Sequence, residues 1–155
     1  MDKSDNHARI YEFLAKHPVG VLSTVDVNAE PHGVVIYYSV EDNFNIVFTT
    51  KRDTKKHDNL QHNNHAMVTV YEPASQTTVQ ILATATDITD TVKGQDSFKH
   101  ALAASIRTSN TAVPPISKLS AGHYVAYELK PRQIRMAVFS DPNPGSYDMF
   151  ETIDF

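Results

Sequence analysis

A chain of 155 residues, 41% hydrophobic and 21% charged, fits a single soluble domain spanning 1–155 with one core. The absence of cysteine excludes disulfides, thiolate catalysis and thiolate metal sites, and a net charge of −4 argues against the broad basic face that nucleic-acid binding requires. No run reaches the roughly 18 apolar residues of a membrane span, and the polar start MDKSDNHARIYEF lacks a secretory apolar segment, so a cytoplasmic protein without membrane association is expected.

In chain order, Ile10, Phe13, Leu14 and His17 recur at helical spacing, so 5–16 reads as an amphipathic helix stopped by Pro18. VGVLSTV (19–25) alternates as a strand, 26–31 turns around Asn28 and Pro31, and the β-branched and aromatic run GVVIYYSV (33–40) returns as a second strand. Glu41-Asp42-Asn43 leads into a third strand, 45–49. Connections this short allow only an antiparallel meander. A short helix is expected over 54–63, with Asp53 or Thr54 as N-cap, followed by strands over 66–71 and 77–89. The segment GQDSFKHALAASIR (94–107) carries Phe98, Ala101, Leu102, Ser105 and Ile106 as one apolar-centred stripe of a second helix. A polar loop over 108–118, strands over 123–129 and 133–139, and a Pro/Gly-rich tail complete the chain. Residues 1–4 and 141–155 read as loose tails. The fold expected is mainly β: a barrel of antiparallel strands with a few helices packed at its ends.

The most unusual local feature follows the third strand. Lys51, Arg52, Lys55 and Lys56 crowd together with Thr49, Thr50 and Thr54, although the chain is acidic overall. Lys55 and Lys56 would occupy the first turn of the short helix, where the macrodipole is already positive and free N–H groups point outward. An anion there removes the conflict, and phosphate is the commonest such ligand. A charge run solvating an exposed helix start is the competing reading, and the local sequence does not separate the two.

Other candidates are weaker. Of eight histidines, His57 and His62 are five apart and so not on one helical face, and with His65 they read as solvated rather than as metal ligands. Tyr37 and Tyr38 alternate across their strand, so only one of them can face the core. Five glycines and no Gly-rich loop exclude a Rossmann site, and no catalytic side chain is identified.

The segments EPHGVVIYYS and NFNIVFTTKRDTKKHDNLQHNNHAMVTVYE, with looser matches in TTVQILATATDITD and YVAYELKPRQIRM, resemble the FMN-binding split-barrel family typified by pyridoxamine 5′-phosphate oxidase. The likeness runs over 11–139. It implies a split barrel of antiparallel strands in which Thr54-Lys55-Lys56 looks like the family's phosphate-holding "Ser-Arg-Lys" and Thr49-Thr50 like its Tyr-Thr pair. The implied FMN contacts are Thr49, Thr50, Lys51, Thr54, Lys55 and Lys56 at the phosphate, and Val34, Val35, Ile36 and Tyr37 along the isoalloxazine ring, largely by backbone. Thr78 and Phe139 align loosely with two further flavin contacts. Val34 and Ser39 stand where the oxidase carries basic residues, and nothing after Phe139 matches its substrate-gripping Arg-and-His segment. The resemblance is therefore to the short, general-stress-protein-like members, and vitamin B6 oxidation is not expected.

The activity implied is that of a flavin oxidoreductase acting on a small molecule or NAD(P)H; a non-catalytic flavin-binding protein is the alternative. Relatives that bind a deazaflavin or haem leave those cofactors open, with His100 or His123 as candidate axial ligands. The family resemblance also implies a homodimer with cofactor sites at the interface, covered by the partner's 108–116 loop or by its Tyr147 and Phe150. The residues add their own argument for this, because GVVIYYSV is apolar on both faces and a strand with one wet face would alternate with polar residues.

Overall fold

In the computed structural model, which describes residues 3–108, 123–140 and 150–155, eight antiparallel strands and three helices follow one another along the chain. Helix α1 (Lys3–Lys16) leads into β1 (Val19–Val25), β2 (Pro31–Tyr37), the two-residue β3 (Ser39–Val40) and β4 (Ile46–Lys51). Helix α2 (Lys55–His62), β5 (His65–Glu72), β6 (Thr77–Asp87), α3 (Val92–Thr108), β7 (Tyr124–Val138) and β8 (Glu151–Asp154) complete the chain. The hydrogen-bonded order is β2-β1-β5-β6-β7-β4-β3, with β8 added to β7. The first and last long strands of this order, β2 and β4, touch without pairing. The sheet therefore curls into the expected barrel but stays split along one seam.

Alternation along the strands sends one row of side chains inward. Leu22, Ile36, Ile46, Phe48, Val68, Val70, Val79, Ile81, Val125 and Ile134 form the core, all 4% exposed or less. Ile10 and Leu14 of α1 and Leu60 of α2 join it. The outward residues Val47 and Ala126 form a second cluster with Ile88, on the side where α3 packs against β4 and β7. There Phe98 stacks on Tyr124, with centroids 4.0 Å apart. Lys93, near the start of α3, bridges Glu41 and Glu128.

Helix α1 meets the sheet where β1 begins, and Tyr38 decides how. Its hydroxyl is shared between the carbonyls of Leu14 (3.1 Å) and His17 (2.7 Å), satisfying acceptors left open at the helix end. Burial pushes the Tyr38 phenol well above its ordinary range. Tyr37, one residue earlier, points out and is 59% exposed. Tyr38→Phe should cost about 1 kcal/mol, the usual net worth of such a bond. That should lower the thermal midpoint by roughly 2–4 °C, which a melting curve with and without the substitution would check.

Several expectations are corrected. The two closing strands, 123–129 and 133–139, are one strand, β7. Pro131 pairs with Ala83 and Gln133 with Leu82, so Arg132 is an extra residue at an irregularity in the ladder. A proline is tolerated at such a bulge because the ladder is already interrupted there. The second strand begins at Pro31 and stops at Tyr37, leaving Val40 to the separate β3. The C-terminal residues are not a loose tail as far as they are described. β8 pairs with β7 through Gln133↔Asp154 to Met136↔Glu151, and Arg9 of α1 reaches Glu151 at 3.0 Å. At the other terminus α1 begins at Lys3.

Candidate functional site

The corner between β4 and α2 is shaped by one side chain. Thr54, extended at φ −119° and ψ 149°, is the N-cap of α2. Its Oγ1 accepts from the amide of His57 (3.4 Å) while its hydroxyl donates to the Lys51 carbonyl (2.9 Å). The cap thus ties the helix start to the strand end, and Asp53 is not the capping residue. With the His57 amide taken and the first intrahelical bond running from Asp58 to Thr54, the Lys55 and Lys56 amides are the open donors of the helix start.

The two lysines differ in environment. Lys55 is exposed and lies 3.9 Å from Asp26 in the β1–β2 turn. Asp26 is itself held below the ordinary carboxylate range, first by the amides of Glu30 and Asn28. Lys56 is half-buried, and desolvation alone pulls its ammonium below the ordinary lysine range. Among the described residues it has no ion-pair partner. An under-solvated, unpaired cation beside two open amides is a place where an anion is stabilised.

Helix α2 also reaches β1. Asn59 donates to Thr24 of β1 (2.9 Å), and Thr24 is the cross-strand partner of His32 at the start of β2. β2 bonds to β1 alone, and β3 covers β4 only at Ile46 and Val47. The seam between them is therefore flanked by the open edge of β2 and by the stretch of β4 from Phe48 to Thr50, whose backbone groups not engaged by β7 can meet a ligand.

Of the ring-side residues expected from sequence, Ile36 is buried and Val34 half-buried against the core, so only their backbone can serve the seam. Val35 and Tyr37 point outward. Thr50 is buried, on the same side as Phe48. Thr49 is half-buried on the opposite face, and its Oγ1 is a buried atom without a hydrogen-bond partner. Lys51 is half-buried and offers its carbonyl to Thr54. Thr49, Thr50, Lys51, Thr54, Lys55 and Lys56 thus lie together at the β4–α2 corner. Thr78 and Phe139 do not join them. Thr78 lies between Tyr71 and Ala137, and the Phe139 amide bonds the Gln76 carbonyl, both at the end of the sheet away from α2. The 109–116 stretch and Tyr147 lie outside the described residues. Phe150 lies on Arg135, 4.0 Å from guanidinium carbon to ring centre.

Sequence reasoning missed what lies beneath α2. His57 is buried, not solvated, and its Nδ1 is 2.8 Å from the Tyr127 hydroxyl, to which Gln61 Nε2 donates at the same distance. The His57 and Gln61 spacing of four was legible as one helical face, but Tyr127 is 70 residues from His57. His62 and His65 are exposed as expected, and no cluster of metal-ligating side chains occurs among the described residues. A cavity of about 410 Å³ lies at the other end of the barrel, lined by Arg9, Phe13, Lys16, His17 and Met136 among others. None of the sequence-predicted residues lines it, and its Arg9 is already paired with Glu151, so the β4–α2 corner is the better candidate.

Comparison with known proteins shows the family and the fold. A family model for pyridoxamine 5′-phosphate oxidase matches residues 7–137. The fold is similar to general stress protein 26 from Bacillus anthracis, with a TM-score of 0.65 at 19% identity over 96% of this chain and 99% of that one. It is also similar to a pyridoxamine 5′-phosphate oxidase-related, FMN-binding protein from Nostoc punctiforme, with a TM-score of 0.60 at 15% identity, covering 98% and 94% of the two chains. A haem-binding protein from Mycobacterium smegmatis matches with a TM-score of 0.69 at 15% identity, over 99% of this chain but 59% of that protein. No curated protein matches the chain.

Proposed function

Because the chain belongs to the pyridoxamine 5′-phosphate oxidase family, we propose that it binds FMN in the seam between β2 and the β4–α2 corner. On this reading it works as a homodimeric, flavin-dependent oxidoreductase acting on a small molecule. The observation that carries the proposal is Lys56, a half-buried ammonium without an ion-pair partner among the described residues, beside the open amides of a threonine-capped helix. A phosphate monoester supplies the missing counter-charge and accepts from those amides. The open edge of β2 from Val34 to Tyr37 offers the backbone donors and acceptors that a flat heteroaromatic ring needs.

When bound, FMN supplies the hydride-transfer chemistry, and the protein's part is binding, orientation and exclusion of water. Val34 of β2 and Ser39 of β3 put no cation at the positions where the oxidase carries one, which favours a substrate other than a phosphorylated pyridoxal. The outward apolar residues of β1 and β2, exposed in the single chain, support the dimer, since ligand sites usually bury most of their ligand.

The first test is optical. Micromolar FMN added to the purified protein should shift the flavin absorption bands and raise the melting temperature, and riboflavin, lacking the phosphate, should bind far more weakly. No shift with FMN removes the reading; a Soret band on adding haem, or a response to a 5-deazaflavin alone, replaces the cofactor. Anaerobic NADH and NADPH should bleach the bound flavin, and failure with both leaves the non-catalytic flavin binder in its place.

A further inference from the structure

We propose that Tyr127 is the positioning residue of the anion site, holding its two arms, the end of β4 and the start of α2, in one fixed relation; this rests on the FMN reading above. Helix α2 needs such an anchor because it is a polar element, KKHDNLQH, whose one buried apolar side chain is Leu60. Apolar burial cannot by itself fix how so polar a helix sits.

Tyr127 meets both arms. On the helix side its hydroxyl contacts His57 Nδ1 and Gln61 Nε2, each at 2.8 Å. Gln61 donates to the phenol oxygen, and the His57 tautomer sets which of Nδ1 and the phenol donates in the second bond. The amide of that same His57 bonds the Thr54 cap. On the strand side Tyr127 is the Cα partner of Phe48, and the two rings stack at 5.6 Å and 20°. Thr49 and Thr50 follow Phe48 directly. One buried phenol thereby connects the strand that carries the threonine pair with the helix whose first turn carries the cap and the lysines, without itself reaching solvent (1% exposed). A site pre-organised in this way loses affinity when the hydroxyl goes even if the fold survives.

Tyr127→Phe keeps the ring and its stacking and deletes only the hydroxyl. The readout is the ratio of riboflavin to FMN dissociation constants, which isolates the phosphate end. That ratio should fall about tenfold in Tyr127→Phe and about threefold in Gln61→Leu, in line with the loss of one or two buried hydrogen bonds. Leu14→Val, a core change at the α1 end, should lower the melting temperature and leave the ratio unchanged. An unchanged ratio in Tyr127→Phe overturns the proposal while the FMN reading stands. If Tyr127→Phe does not fold, an unchanged ratio in Gln61→Leu overturns it equally. Wild-type protein with no preference for FMN over riboflavin overturns the anion site and this proposal with it.

Discussion

Lys56→Glu should remove FMN binding, with a loss of at least about 1,000-fold in affinity. A unit charge pair at ~4 Å and an effective dielectric constant near 20 is worth about 4 kcal/mol, and charge reversal replaces that attraction by repulsion from a phosphate. The position magnifies the effect, since desolvation already pulls the Lys56 ammonium below its ordinary range and screening by water is reduced there. Folding should respond the other way. A carboxylate in the first turn of α2 complements the helix dipole that Lys55 and Lys56 oppose, by a few tenths of a kcal/mol. The variant should therefore melt no earlier than the wild type, remain a dimer, and fail to quench FMN fluorescence on titration. Retention of FMN within tenfold of the wild-type constant would show that the anion site lies elsewhere.

Tyr37→Asp should split the dimer and take the flavin with it. Cross-strand pairing puts Val19 beside Tyr37 and Val21 beside Val35, and Tyr71 lies on β5, the next strand along. Val35, Tyr37 and Tyr71 are 58%, 59% and 57% exposed, an apolar outer patch that a single chain leaves in water. A closed two-fold arrangement repeats each contact. An unpaired aspartate would enter the interface twice, each costing about 3–5 kcal/mol. The residue is exposed in the single chain, so the variant should keep its circular-dichroism spectrum. Sedimentation should show wild type near twice the chain mass with one flavin per chain, and Tyr37→Asp near the chain mass without flavin. A monomeric wild type that binds FMN tightly and stoichiometrically would sink the shared site.

The sequence by itself determined the features whose physics is local. Pro18 ends α1, alternation marks β1, a β-branched and aromatic run marks β2, and Asp53-Thr54 ahead of two lysines marks a helix start, because each depends on residues within about four positions of one another. Alternation also told that one of Tyr37 and Tyr38 must face inward, though not which. Tertiary structure decided what depends on distant partners. Tyr38 goes inward because the carbonyls of Leu14 and His17 await its hydroxyl. Pro131 bends a strand instead of ending it because Leu82 and Ala83 lie opposite with room for one extra residue. The C-terminal residues become β8 because the edge of β7 from Gln133 to Met136 is open to pairing there. The same holds at the site. Lys55 and Lys56 are equivalent in sequence, yet Asp26 lies near one and the barrel partly buries the other, and burial is set by packing across the sheet, not by neighbours in the chain.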